Sequence, residues 1–285
     1  NEALSSLNNP SFSFPIENSQ HPVIIAFLQI LENKKANKTS SSLTSVICDC
    51  LRTDYIVGDA LSSIVRKFET LTDLEDETAL KIINSYTTLI GKHFLDLDIF
   101  LSILSFIANL CSSHSILVST SSIAALNQVV STFLTFTEEN GDNLTPMNQR
   151  NIDLCYSMGG DETIQFSRRI DKIIYLIFRD FVQISIGKQS QWLRITSLKS
   201  NVSYNVLTNV ITEHFELLKA RKIFLKQFAL AMNYAYARNA PLSFCITSVE
   251  YIMNVLPNGC ATIFSSYVRD LRIDSPRLQN SLIFF

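Results

Sequence analysis

The sequence predicts an all-α protein, an α-α superhelix of the armadillo- or HEAT-like solenoid kind. Three observations predict it. Apolar residues recur at helical spacing from Pro22 onward almost without pause. Only seven Gly and seven Pro occur in 285 residues, too few for an all-β chain with many tight turns. Pro10, Pro15, Pro22, Pro146, Pro241, Pro257 and Pro276 all fall at the edges of apolar-periodic segments. Proline lacks an amide donor and clashes with the preceding turn, so long helices require that placement.

Taken in order, residues 1–20 are rich in Asn, Ser and Pro and read as an N-terminal tail. Residues 21–137 read as a first helical domain. Within it, Ala79, Ile82, Ile83, Tyr86 and Ile90 occupy one helix face, as do Phe100, Ile103, Leu104 and Ile107. Leu126, Val129, Val130, Phe133 and Leu134 repeat the pattern. The segment 138–160 is polar, runs Glu-Glu-Asn-Gly-Asp-Asn, closes on Gly159-Gly160 and reads as a linker. Residues 161–285 read as a second helical domain. Its stripes are Phe166, Ile170, Ile173, Ile174, Ile177, Phe181, then Leu207, Val210, Ile211, His214, Phe215, Leu218, and last Phe264, Tyr267, Val268, Leu271. About a dozen helices of roughly 20 residues each, turns included, are the signature of a helical-repeat solenoid. Short connections make such neighbours antiparallel.

Composition bounds the function. The hydrophobic fraction is 47% and the charged fraction 18%, with a mean hydropathy of +0.18. Such a balance suits helices buried on several sides, or ends that pack against more protein. Asn1 at the start and the mostly apolar Ser281–Phe285 at the end are expected to be the edges of a piece of a longer chain. The length supports a substantial core without disulfides or metal. A net charge of −2 argues against a nucleic-acid footprint, which needs an excess of Lys and Arg. Six scattered cysteines read as reduced thiols of a cytosolic protein. The sequons at Asn37, Asn143 and Asn201 are then chance matches. The opening residues do not read as a signal peptide, so none is expected. The stretch Phe94–Leu110 is interrupted by Asp96 and Asp98 and is shorter than the ~20 residues a span needs. Membrane contact is therefore expected to be peripheral.

No constellation of residues points to catalysis, a cofactor or a metal. Cys48-Asp49-Cys50 is the most ligand-like cluster, but structural zinc wants four Cys or His ligands, and His21 and His93 are far away in sequence. Two thiols at i and i+2 face different sides of a helix. His214 lies on the apolar stripe of its helix and reads as a core-rim histidine bonded to a carbonyl. The run Asp73, Glu75, Asp76, Glu77 lacks the Gly and terminal Glu of a calcium loop and reads as charge complementing a helix start. The basic groups Lys34, Lys35, Lys38 and Lys219, Arg221, Lys222, Lys226 read as solvated faces, with anionic lipid as the functional rival. Trp192 opens an apolar segment after Lys188-Gln-Ser-Gln191 and is expected to be a buried anchor between helices.

Two stretches carry a family resemblance. Ile116 to Phe133, with its small-residue run leading into Gln128-Val-Val, resembles a helix in the N-terminal region of large Arf guanine-nucleotide-exchange factors. Trp192-Leu193 followed by Val202 to Phe228 is similar to the next region of those proteins, through Val206-Leu207, Glu213-His214, Phe215, Leu217, Leu218 and Ile223-Phe224. These regions are the dimerisation-and-cyclophilin-binding (DCB) and homology-upstream (HUS) domains, and here the resemblance covers about 22–285. The Trp-Leu opening is most like the Mon-two branch, whose members lack the exchange domain. The Phe-Arg-Leu-Pro-Gly-Glu loop that carries the exchange domain's catalytic Glu is not in this sequence, which favours that branch.

The resemblance implies a non-catalytic scaffold, peripheral on trans-Golgi network and endosome membranes and acting in vesicle traffic. It implies a Dopey-type partner, a lipid-flipping P-type ATPase and an Arf-like GTPase, and a homodimer through the first domain. Two rival readings stand beside it. One is the regulatory N-terminal region of a true exchange factor of the Sec-seven or BIG type, which an exchange domain C-terminal to Phe285 would distinguish. The other is a generic helical-repeat transport adaptor, a class with strong net acidity that this chain lacks.

Overall fold

A computed structural model describes residues 15–32, 37–71, 74–92, 96–140, 155–157, 163–219, 223–235 and 238–255. The fold is all-α: eleven helices and one two-stranded hairpin occur among the described residues. The chain divides into two compact units, Asn1–Phe133 and Leu134–Phe285. That division precedes the polar segment 138–160, most of which lies outside the described residues.

The first unit contains α1 (Pro22–Glu32), α2 (Asn37–Arg52), α3 (Gly58–Glu69), α4 (Asp76–Lys92), α5 (Leu97–Leu110) and most of α6 (Ile116–Asn140). Local chemistry sets the starts. Pro22 is the first residue of α1, where its missing amide costs nothing, and the ring of His21 accepts from the Val23 N–H at 3.3 Å. Asp96 caps α5 by accepting from the Asp98 N–H at 2.8 Å. Asp76 and Glu77 form the acidic first turn of α4, as the charge run predicts; Asp73 lies outside the described residues. Before α3, Ile16 pairs with Ile56 in a lone parallel bridge. Gly58 adopts a φ of 58° there, close beneath the Glu17 carbonyl.

In this unit α2 lies on α4 and α3 on α5, while α1 touches both α2 and α3 and α4 touches α5. The residues that share stripes in the sequence are those buried, from Ala79 through Ile90 on α4 and from Phe100 through Ile107 on α5. Phe68, Tyr86 and Phe106 form an aromatic chain through the core, and Phe100 stacks on Phe133 at 4.3 Å. Helix α6 corrects the membrane reading in one respect. Its Ile116–Glu139 portion is long and apolar enough to cross a membrane, by length and composition. It buries a stripe through Val118, Ser122, Ala125, Leu126, Val129, Val130, Phe133, Leu134 and Thr137, and exposes apolar Ile116, Leu117 and Ala124 beside polar Thr120, Gln128, Thr135, Glu138 and Glu139.

The second unit contains the hairpin β1 (Cys155–Ser157) and β2 (Thr163–Gln165), then α7 (Arg169–Ser185), α8 (Ser200–Glu213), α9 (Phe215–Lys219), α10 (Ile223–Ala235) and α11 (Leu242–Val255). The strands pair antiparallel with Cys155 opposite Gln165. Four helices enclose this core: α7 packs on α8 and α10, and α11 packs on the same two. Aromatic rings fill it. Phe178 meets Phe224 and Phe228 edge to face, Phe228 lies against Tyr251, and Tyr204 against Phe244. Tyr251 Oη donates to the Leu218 carbonyl at 3.1 Å, so a buried phenol keeps a partner.

Helix α7 ends in a Schellman motif. Lys188 N–H donates to the Gln183 carbonyl at 2.8 Å, and Gly187 N–H donates to the Ile184 carbonyl at 2.9 Å. Gly187 holds a φ of 80°, and a Cβ there would collide with the guanidinium of Arg238.

Candidate functional site

The centre of the second unit is polar as well as aromatic. Helix α7 is buried on nearly every side, including Lys172, Arg179 and Asp180. Its apolar face meets the four-helix core. On its other side Lys172 Nζ donates to the Cys155 carbonyl of β1 at 2.7 Å. Further along, Asp180 is fully buried and both its oxygens are used. Oδ1 accepts from Arg179 Nε at 3.0 Å and Nη2 at 2.6 Å. Oδ2 accepts three successive main-chain N–H groups, from Gln191 at 3.1 Å, Trp192 at 2.6 Å and Leu193 at 2.7 Å. A buried carboxylate is tolerable because its charge is paired and its lone pairs are filled.

That node fixes the connection between α7 and α8. Ser190 Oγ donates to the Leu193 carbonyl at 2.6 Å, and Ser200 Oγ donates to the Ile184 carbonyl at 3.1 Å. Leu193 and Ile195 turn into the core. Trp192 does not: its ring is half-buried, so the expectation of a buried anchor is corrected. The alternation along an extended loop sends Leu193 inward and leaves its neighbour at the rim.

The other sequence candidates are not brought together. Cys48 is buried and Cys50 half-buried, while Asp49 between them is exposed and pairs with Arg52. Burial pushes the thiols of Cys48 and Cys50 up, and that of Cys111 up to about 12. Raised thiols are poor nucleophiles and poor metal ligands at neutral pH. His214 is buried at the end of α8, as its stripe position predicts. Its Nδ1 lies 3.3 Å from a carboxylate oxygen of Glu138. Lys219 is exposed, 3.8 Å from Glu216 and above the Phe215 ring. Lys34, Lys35, Arg221 and Lys222 lie outside the described residues, as do His93, Gly159-Gly160 and the Phe264–Leu271 pattern. Among the described residues no group of three or more His, Cys, Asp or Glu side chains is placed to hold a metal ion.

What the surface offers instead is uncovered apolar area. On α11, Leu242 is 73% exposed, Ile246 51% and Met253 58%, at i, i+4 and i+11 of one face. At the start of α6, Ile116 is 84% exposed and Leu117 60%. Buried Phe244, Ser248 and Tyr251 show that α11 already spends its other face on the core.

The described residues thus form an all-α fold with exposed apolar residues on α6 and α11. Compared with family models, curated proteins and solved structures, the chain matches none.

Proposed function

We propose that this chain is a non-catalytic helical scaffold that binds protein partners in vesicle traffic and is held peripherally on trans-Golgi and endosomal membranes. The observation that carries the binding part is the exposed apolar residues of α6 and α11, which cost solvation unless a partner covers them. The packing of α2 on α4 and of α3 on α5 supports an armadillo- or HEAT-like stacking, a form that offers long shallow contact surfaces. The traffic part rests on the resemblance of Ile116–Phe133 and Trp192–Phe228 to the Mon-two family, with its Dopey-type, P-type ATPase and Arf-like partners.

The test is location together with partner capture. A tagged chain expressed in cells is expected on Golgi and endosomal membranes in part, and to co-purify with a Dopey-type protein. Recruitment is expected to need those partners, because small basic clusters alone anchor weakly. An exclusively nuclear or secreted location contradicts the reading.

A further inference from the structure

Helix α11 is apolar on two sides. Phe244, Ser248 and Tyr251 turn one side into the core, where the helix packs on α8 and α10. Leu242, Ile246, Val249 and Met253 run along another side, and all but the half-buried Val249 are exposed. Half-buried Cys245 and Ile252 join this stripe to the core side, so the apolar arc is continuous. A helix apolar this far round is a helix buried between neighbours. The described helices nevertheless leave Leu242, Ile246 and Met253 to water. Their 4-3-4 spacing is that of a seam where two helices pack side by side.

The sequence supplies a second seam of the same kind directly after α11. Residues 256–285 lie outside the described residues, and their pattern is read from the sequence alone. Leu256-Pro257-Asn258-Gly259 joins a proline, which cannot continue a helix, to an Asn-Gly turn signal. Cys260, Phe264, Tyr267 and Leu271 then repeat the 4-3-4 spacing over the span that Leu242 to Met253 covers. On a helix both stripes are about 16 Å long. Thr262, Ser266 and Arg269 fall opposite the second stripe, as the outer face of an amphipathic helix requires. A connection this short makes neighbouring helices antiparallel. Tethering also favours this occupant, because a segment on a short linker is present at an effective concentration of about millimolar.

We propose that the exposed face of α11 is the docking surface of the chain's own 260–272 segment. The segment turns back through 256–259 and lays Phe264, Tyr267 and Leu271 along Leu242, Ile246 and Met253. The inference goes beyond the scaffold reading and stands without it. Partners of the scaffold then meet open apolar area at Ile116 and Leu117 of α6, and reach α11 only where the segment lifts off.

Hydrogen exchange of the full chain, read peptide by peptide, tests the contact from both sides. Amides of 260–272 are expected to exchange at least ~tenfold more slowly than an unprotected peptide, by the same factor at every chain concentration. Ile246→Glu and Leu271→Glu are each expected to remove that protection and to leave α7 and α8 protected. Ser266→Glu, opposite the stripe, is expected to keep it. Where Ile246→Glu also exposes α7 and α8, Ile246→Ala takes its place and is expected to lower the protection of 260–272 alone. An unprotected 260–272 in the unaltered chain overturns the inference, as does protection that survives substitution of Ile246. Protection that rises with chain concentration also overturns it and assigns the face to a second copy. A chain that fails these readings but still sits on Golgi membranes loses this contact and keeps the scaffold reading.

Discussion

The carboxylate of Asp180 accepts the main-chain N–H of Trp192 at 2.6 Å, so a fully buried charge fixes the loop that carries the half-buried indole. Removing it touches two kinds of partner at once. Asp180→Ala takes from buried Arg179 the carboxylate it bonds and from three loop N–H groups the oxygen that accepts them. Breaking a buried pair from one side costs about 3–5 kcal/mol. The midpoint of urea unfolding should fall steeply. An unchanged midpoint contradicts the role assigned to this node.

Trp192 and Leu193 make an ordered pair of predictions. Leu193 is buried, and truncating such a side chain to Ala costs about 2–5 kcal/mol. Trp192 keeps part of its ring in water, so Trp192→Ala is expected to fall short of the ~3–5 kcal/mol that a fully buried Trp costs. Unfolding of both variants under the same conditions tests the order. A Trp192 variant less stable than the Leu193 variant restores the buried-anchor reading.

Gly187 and Gly91 should respond to Ala with opposite signs. At Gly187 the φ of 80° opposes a Cβ, while the exposed Arg238 guanidinium above it can swing aside. The strain of the left-handed conformation alone is about 1–2 kcal/mol. At Gly91, inside α4, no neighbouring atom lies within 4 Å of an added Cβ. Ala there removes chain entropy from the unfolded state and stabilises by up to about 1 kcal/mol. Paired thermal melts read both signs.

Stability should fall on the alkaline side. Burial raises the thiols of Cys48, Cys50, Cys111 and Cys245, and the phenols of Tyr86, Tyr204 and Tyr251. A folded value above the unfolded one gives stability that is full below the unfolded value. It is lost as pH climbs through the folded value. For the cysteines the decline begins near 9.0, their unperturbed value, and continues towards about 12 for Cys111. The melting temperature should be level at neutral pH and drop above about 9. In the same range native Cys48 and Cys111 should resist a thiol reagent. In denaturant without reductant all six cysteines should react; fewer would contradict the reading of reduced thiols.

Much of the fold was legible because helical burial leaves a regular trace. Every residue of the α4, α5 and α7 stripes is buried, and Asp76 and Pro22 start their helices as local chemistry requires. The hairpin was not legible. Its strands are three residues each, too short for alternation to register, and β1 lies inside the polar segment. The Asp180 node was missed for a different reason. Phe178-Arg179-Asp180-Phe181 puts a charge pair inside an apolar stripe, which is a readable signal. The partners of that pair are loop amides, however, and amides carry no sequence signature. Trp192 was misplaced because hydrophobicity alone does not say which of two adjacent loop residues turns inward.

The central claim is that this chain acts by contact and not by catalysis, and nucleotide exchange tests it most directly. Release of a fluorescent GDP analogue from Arf-family GTPases would be followed with and without the purified chain. The account predicts that release runs at the spontaneous rate at every chain concentration. Acceleration that rises with the amount of chain would contradict it.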